Sequence, residues 1–296
     1  MKMDLTKKLA VLLVGMPIAS ASVLAAELSS FTNEVKVNDY DNGYQITEWT
    51  LGKGAYKLND DLSFIFDVDK NFVDNADGTK EQGWDTQFGI VQAVDQQVAG
   101  FDIDLNYLVR YDAAWNAGDG SDDWYVAQYI FSPWLSKDIT IAGKDFSLGI
   151  ELWAQVGEKD GASLQDYNGY ETSFYLDGDL SDNWVLNLAW YNFDYYDGDK
   201  YAYQIGTEDY LTYTLPLKSG FSFAVESYVE AYYTPDNYDK WVSAHIQPMV
   251  KYNQKVNDDF SWHASIAYNA VEYTNSESVD SSWGNNEMEI LLGFTI

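Results

Sequence analysis

The feature that most constrains this chain is strict two-residue alternation, sustained over runs too long for an ordinary globular sheet. From Phe101 to Asp112 the odd positions read Phe101, Ile103, Leu105, Tyr107, Val109 and Tyr111, while Asp102, Asp104, Asn106, Arg110 and Asp112 fall between them. The same rhythm recurs at Phe146–Val156, at Phe221–Tyr233 and in the last stretch through Met288, Ile290, Leu292, Phe294 and Ile296. Alternation of this kind is the mark of strands with one apolar and one polar face. Each run is about ten to thirteen residues. Globular strands average about five or six residues, whereas a tilted strand needs about 9–11 to cross a bilayer. The reading is an all-β protein, a transmembrane antiparallel up-and-down β-barrel.

Fourteen such runs are expected, near 31–39, 44–57, 62–72, 83–94, 101–112, 123–135, 145–157, 167–179, 184–195, 201–215, 221–233, 241–253, 260–272 and 285–296, with twelve or sixteen also open. The connections alternate in kind. Asn59-Asp60-Asp61, Ser181-Asp182-Asn183, Lys218-Ser219-Gly220 and Asn257-Asp258-Asp259 read as tight turns, and 73–82, 113–122, 158–166 and 273–284 as longer acidic loops. Short turns at one end and longer loops at the other are the pattern of bacterial outer-membrane barrels. Apolar parity changes between Ile46 and Trp49, which predicts a β-bulge, and Pro133 and Pro248 predict bulges or strand ends where they fall inside strands.

The ends and the composition agree with export to a membrane. Lys2, Lys7 and Lys8, the apolar run Leu9–Leu24 and the small residues Ala25 and Ala26 read as a secretory signal peptide over 1–26, leaving 27–296 as the barrel. With 24 Tyr and 11 Trp, the chain is rich in the residues that favour membrane interfaces. Cysteine is absent, so the fold depends on its hydrogen-bond ladder. Lys and Arg total 17 against 47 Asp and Glu, and removing Lys2, Lys7, Lys8 and Asp4 leaves 14 against 46, a net −32. Nucleic-acid binding is excluded, because phosphate contacts need a basic face.

If the apolar parity meets lipid, the other lines the interior. That places Asp67, Asp69, Asp85, Asp102, Asp104, Arg110, Asp112, Glu151, Glu171, Asp177, Glu226, Glu230, Lys251 and Glu289 along a lumen. Carboxylates in a dry interior are very costly to desolvate, so the expectation is water inside and a cation-preferring pore. Trp153, Tyr175, Tyr228 and Tyr232 also point inward and fit lumen packing or an interface girdle better than sugar stacking. Ser265 with His263, and Ser243 with His245, share strand faces. A Ser beside a His begins a nucleophilic pair, but no orienting third group is visible and a hydrolase is the lesser reading. His245 falls nearer the loop end and His263 nearer the turn end, which argues against a paired pH switch. The acidic segments Asp74-Asn75-Ala76-Asp77-Gly78 and Asp119-Gly120-Ser121-Asp122-Asp123 lack the spacing of a calcium loop, and neither metal nor cofactor is expected.

In length and strand plan the chain resembles the monomeric fourteen-stranded porins of the OmpG type, with fusobacterial FomA-type porins close behind. Local stretches are similar as well: Glu171-Thr172-Ser173 leading to Leu180-Ser181-Asp182-Asn183, and Tyr213-Thr214-Leu215-Pro216-Leu217 before a Gly turn. The resemblance implies a non-selective channel for small hydrophilic solutes, including mono- and oligosaccharides. It departs in having one arginine, and His245 and His263 do not match the family's gating histidines. The expected partners are outer-membrane lipid, lipopolysaccharide and small neutral or cationic solutes, and the expected state is a monomer. A substrate-selective oligosaccharide channel and a non-conducting adhesin barrel are the remaining alternatives.

Overall fold

The computed structural model describes residues 27–41, 43–116, 124–160, 165–197, 200–234, 239–257, 259–276, 279–283 and 287–296. Residues 1–26, read from the sequence as a signal peptide, and the expected loop segments 117–123 and 161–164 lie outside the described residues. Sixteen strand segments form the wall: β1 (Glu27–Tyr40), β2 (Gln45–Asn59), β3 (Leu62–Asp74), β4 (Lys80–Val98), β5 (Phe101–Asn116), β6 (Trp124–Ile141), β7 (Lys144–Asp160), β8 (Gln165–Ser181), β9 (Trp184–Asp197), β10 (Lys200–Pro216), β11 (Phe221–Thr234), β12 (Asp239–Lys255), β13 (Ser261–Tyr268), β14 (Val271–Ser276), β15 (Val279–Trp283) and β16 (Glu287–Thr295). β13 and β14 are successive parts of one stave, as are β15 and β16, so the wall has fourteen staves.

Each stave pairs antiparallel with its chain neighbours, and β1 pairs with β16 from Thr32↔Thr295 to Tyr40↔Glu287. Reciprocal backbone bonds between Phe31 and Ile296 seal the seam at 2.9 and 2.8 Å. Closure leaves no strand edge unpaired, which is the condition for a β-structure to sit in lipid.

The two parities meet different surroundings. On one, large apolar side chains stand exposed, among them Tyr129 at 66% and Leu292 at 58%. On the other, Ser132 and Ser173 are buried at 0% and 1%. A closed wall splays side chains on its convex face and crowds them on its concave face. The polar parity is therefore inside.

The irregularities have local causes. β2 does carry a bulge, but it falls between Thr50 and Gly52; from Ile46 to Trp49 the ladder to β3 keeps one register, so Ile46 and Trp49 simply face opposite sides of the wall. Pro248 lies where its partner stave breaks: β12 pairs with β13 up to Met249↔Ala267 and with β14 from Ile246↔Val271. A residue without an N–H thus sits opposite a gap in the ladder. Pro133 differs from expectation. Its ladder to β7 is interrupted, but Phe131↔Ala154 and Trp134↔Glu151 keep one register, so no bulge forms.

Several strands run further than the alternation suggests. β4 continues to Val98 and β6 to Ile141, ending on the turns Ala99-Gly100 and Ala142-Gly143, in which every residue has positive φ. The stretch 273–284, expected as a loop, is largely a hairpin in which β14 pairs with β15 through Tyr273↔Trp283 and Thr274↔Ser282. Outside the bilayer, backbone pairing needs no apolar face, so these extensions carry little alternation.

Candidate functional site

The ladder fixes the place of every carboxylate and cation singled out by parity. Asp69, Asp85 and Asp112 lie in line across β3, β4 and β5, with Asp67, Gln87 and Arg110 in the next line toward the turns. Asp102 and Asp104 oppose Ser136 and Trp134. Glu151 opposes Ser173, Glu171 opposes Trp153 and Phe193, and Asp177 opposes Ser147 and Asn187. Glu226 and Glu230 oppose Gln247 and Ser243, and Lys251 opposes Ser222 and Ser265. Glu289 opposes Ala267 and Asn38. All fourteen share the crowded inner parity.

Around this face the charge is arranged in two arcs. On β1–β5 each cation lies against acids. Lys36 Nζ is 3.0 Å from Glu48 Oε2, and Lys53 Nζ is 2.8 Å from Asp67 Oδ2. Arg110 reaches Asp85 Oδ2 at 3.1 Å and Asp112 Oδ2 at 3.0 Å. On β8–β11 the described inner side chains include no Lys or Arg. There, and on the adjoining β6 and β7, hydroxyls hold the carboxylates. Ser132 and Tyr175 donate to Glu151 at 2.6 and 3.1 Å, Ser173 donates to Glu171, and Tyr228 donates to Glu230 at 2.6 Å. Neutral donors orient a carboxylate without cancelling its charge.

Aromatic rings line the same arc. Trp134 and Tyr175 approach to 5.1 Å across Gly149, Tyr210 and Tyr228 to 4.5 Å, and Tyr228 and His245 to 4.9 Å. Trp153 donates to Gln155 at 2.8 Å. Tyr232 stacks on Trp241 at 5.2 Å.

The histidines sit apart, as the register expected. His245 Nε2 is 3.9 Å from Glu226 Oε1. His263, near the 256–260 connection, reaches over Gly293 to Glu34 Oε2 at 3.0 Å. Ser265 has Lys251 and Leu291 as its ladder partners. Among the described residues no group of three or more His, Asp or Glu side chains could hold a metal ion.

Parity alone passes over several inner charges, among them Glu34, Lys36, Glu48, Lys53 and Glu208. The first four lie on β1 and β2, where bulges break the count. Glu208 is obscured because Thr207 and Asp209 on the opposite face are polar too.

A closed fourteen-stave antiparallel wall with apolar side chains exposed on its outer face is an outer-membrane β-barrel, and its place is the bacterial outer membrane. The sequence matches no protein-family model and no curated protein. Among solved structures the fold is similar to the CymD monoaromatic hydrocarbon channel, with TM-score 0.50 and 7% identity over 91% of this chain and 88% of that one. An outer membrane channel from Pseudomonas putida F1 gives TM-score 0.46 and 11% identity over 94% and 100%. CdiB from Acinetobacter baumannii gives 0.48 and 10% over 90% of this chain, which spans 60% of CdiB. At such identities the likeness is one of fold.

Proposed function

We propose that the barrel is a passive outer-membrane pore for small hydrophilic solutes, with a water-filled, cation-preferring lumen lined by the fourteen residues named from parity and by Glu34, Lys36, Glu48, Lys53 and Glu208. The observation that carries this is the inner arc of β8–β11, where Glu171, Glu208 and Glu230 lie among hydroxyls with no neighbouring Lys or Arg among the described side chains. Charged rows of this kind need water. A ring of about eight staves is filled by its own side chains and one of sixteen to eighteen leaves a channel, so fourteen falls nearer the open case. Rows of carboxylates favour cations. The resemblance to OmpG-type porins supports the same reading. We assign no catalytic role to Ser265 and His263.

The test is ion selectivity in planar bilayers under a salt gradient. A reversal potential on the cation side supports the proposal, and an anion-side value overturns it. The inward aromatics favour one second reading, a saccharide-selective channel. A specific oligosaccharide blocking the current at micromolar concentration would establish it over simple diffusion.

A further inference from the structure

From β6 to β11 the inner wall interleaves carboxylates with aromatic rings, and its described side chains include no Lys or Arg. Two places on it are built alike. In the first, Glu151 on β7 stands directly across the ladder from Trp134 and accepts from the Tyr175 hydroxyl at 3.1 Å, and those two rings approach to 5.1 Å. In the second, Glu230 on β11 accepts from the Tyr228 hydroxyl at 2.6 Å, and Tyr228 meets Tyr210 at 4.5 Å. Between them Glu171 opposes Trp153 and Phe193. Glycines let rings settle against the backbone here. A Cβ at Gly149 would come within 2.7 Å of Trp134, and one at Gly206 would collide with Tyr191.

The second place has a further peculiarity. Glu208 lies directly opposite Glu230. Like charges so placed are destabilising. The other arc holds the same arrangement in Asp85 and Asp112, but there Arg110 joins both carboxylates. Glu208 and Glu230 have no such cation among the described side chains.

The surroundings discriminate between ligands. The hydroxyls of Ser132, Ser173, Tyr175 and Tyr228 already donate to carboxylates, so the wall offers acceptors and π surface to the lumen rather than donors for a neutral sugar. Among the described residues no group of three or more His, Asp or Glu side chains could hold a metal ion. The carboxylates are instead strung along the wall from β7 to β11, on staves about 4.8 Å apart. A ring attracts an ammonium group within about 6 Å of its centre. A cation bound at Glu230 or Glu151 therefore lies within reach of the tyrosine that holds the carboxylate.

We propose that this strip is a binding track for a linear aliphatic oligoamine, a chain of ammonium groups joined by methylene segments. The inference rests on the water-filled, cation-preferring lumen proposed above and names the solute class that the β6–β11 wall takes. One ammonium sits between Glu208 and Glu230, where it supplies the charge that Arg110 supplies on the other arc. Glu171 and Glu151 receive others, and the methylene segments lie against the intervening rings. Carboxylates alone would rank cations by charge. The rings make the track favour an alkylammonium over an inorganic ion of equal charge.

The test compares two trivalent cations, spermidine and hexaamminecobalt(III), as blockers of single-channel current in planar bilayers at one salt concentration. Spermidine is expected to half-block at a concentration about tenfold lower. Trp134→Leu and Tyr210→Leu keep every charge, and each should raise the spermidine value about threefold while leaving that of hexaamminecobalt(III) in place. Glu208→Gln combined with Glu230→Gln should weaken block by both. Heat-modifiable migration reports that the variants are folded, and the comparison on the parent protein stands without them. Equal block of the parent by the two trications overturns the track, as does a ring variant that shifts both probes alike. Reversal potentials on the same channels separate the two levels. A cation-side value without a preference for spermidine defeats the track alone, whereas an anion-side value defeats the pore reading beneath it.

Discussion

Arg110 is the only arginine in the chain, and it stands between Asp85 and Asp112, which face one another across β4 and β5. Removing it leaves two carboxylates side by side on the inner wall, with Asp69 next in line. The ion pairs are partly hydrated, so Arg110→Gln is expected to cost less than about 1 kcal/mol of stability in a urea titration. Its effect on permeation should be larger, with a reversal potential further toward the cation side than in the parent. At the loop end, Asp77 shows how protonation acts locally. The hydroxyl and amide of Thr79 both donate to its carboxylate and hold it below the usual carboxylate range. The folded pKa is thus below the unfolded value of about 3.9, so the contribution is complete above that value and is lost as pH falls through the folded one. Hydrogen exchange at the Thr79 amide should be slow at neutral pH and accelerate in strong acid. In Asp77→Asn that acid step should vanish.

At the scale of the element, the turns offer the sharpest test. Ala99-Gly100 and Ala142-Gly143 each place an alanine at positive φ, 55° and 52°. A left-handed alanine is strained, and two-residue hairpin turns with φ > 0 at both positions prefer Asn-Gly. Ala99→Asn and Ala142→Asn are each expected to stabilise the barrel by about 0.5–1 kcal/mol, read as a shift of the urea midpoint at unchanged slope. These turns also show what was legible in the sequence and what was not. Strands such as β5 were legible because Phe101–Tyr111 alternates without a break and lipid permits no other register. β1 and β2 gave up their inner charges poorly, since Lys36 and Glu48 pair beside two register shifts that invert the count. The β14–β15 hairpin reads as a loop in the sequence because 273–283 lies beyond the region where an apolar face is needed. The face of Glu208 is blurred by Asp209, whose outward position no lipid-facing pattern anticipates.

For the whole molecule, the decisive quantity is the width of the lumen against the reach of its charges. Fourteen staves about 4.8 Å apart, tilted about 40°, give a backbone radius of about 14 Å, and inward rings such as Trp153 and Tyr191 narrow the free path further. The Debye length is about 10 Å at 0.1 M salt and about 3 Å at 1 M. At the lower concentration the field of the β8–β11 carboxylates spans the opening, and at the higher it covers only a layer along that wall. Cation preference should therefore be strong near 0.1 M and decay toward the bulk mobility ratio near 1 M, at constant gradient ratio. The triple variant Glu171→Gln, Glu208→Gln, Glu230→Gln should lose most of the low-salt preference while keeping conductance at 1 M, because it changes charge with almost no change in volume. A preference insensitive to salt would place selectivity at a narrow dehydrating constriction instead. A triple variant that retained full selectivity would move it to the β1–β5 arc, where Lys36, Lys53 and Arg110 already offset the acids.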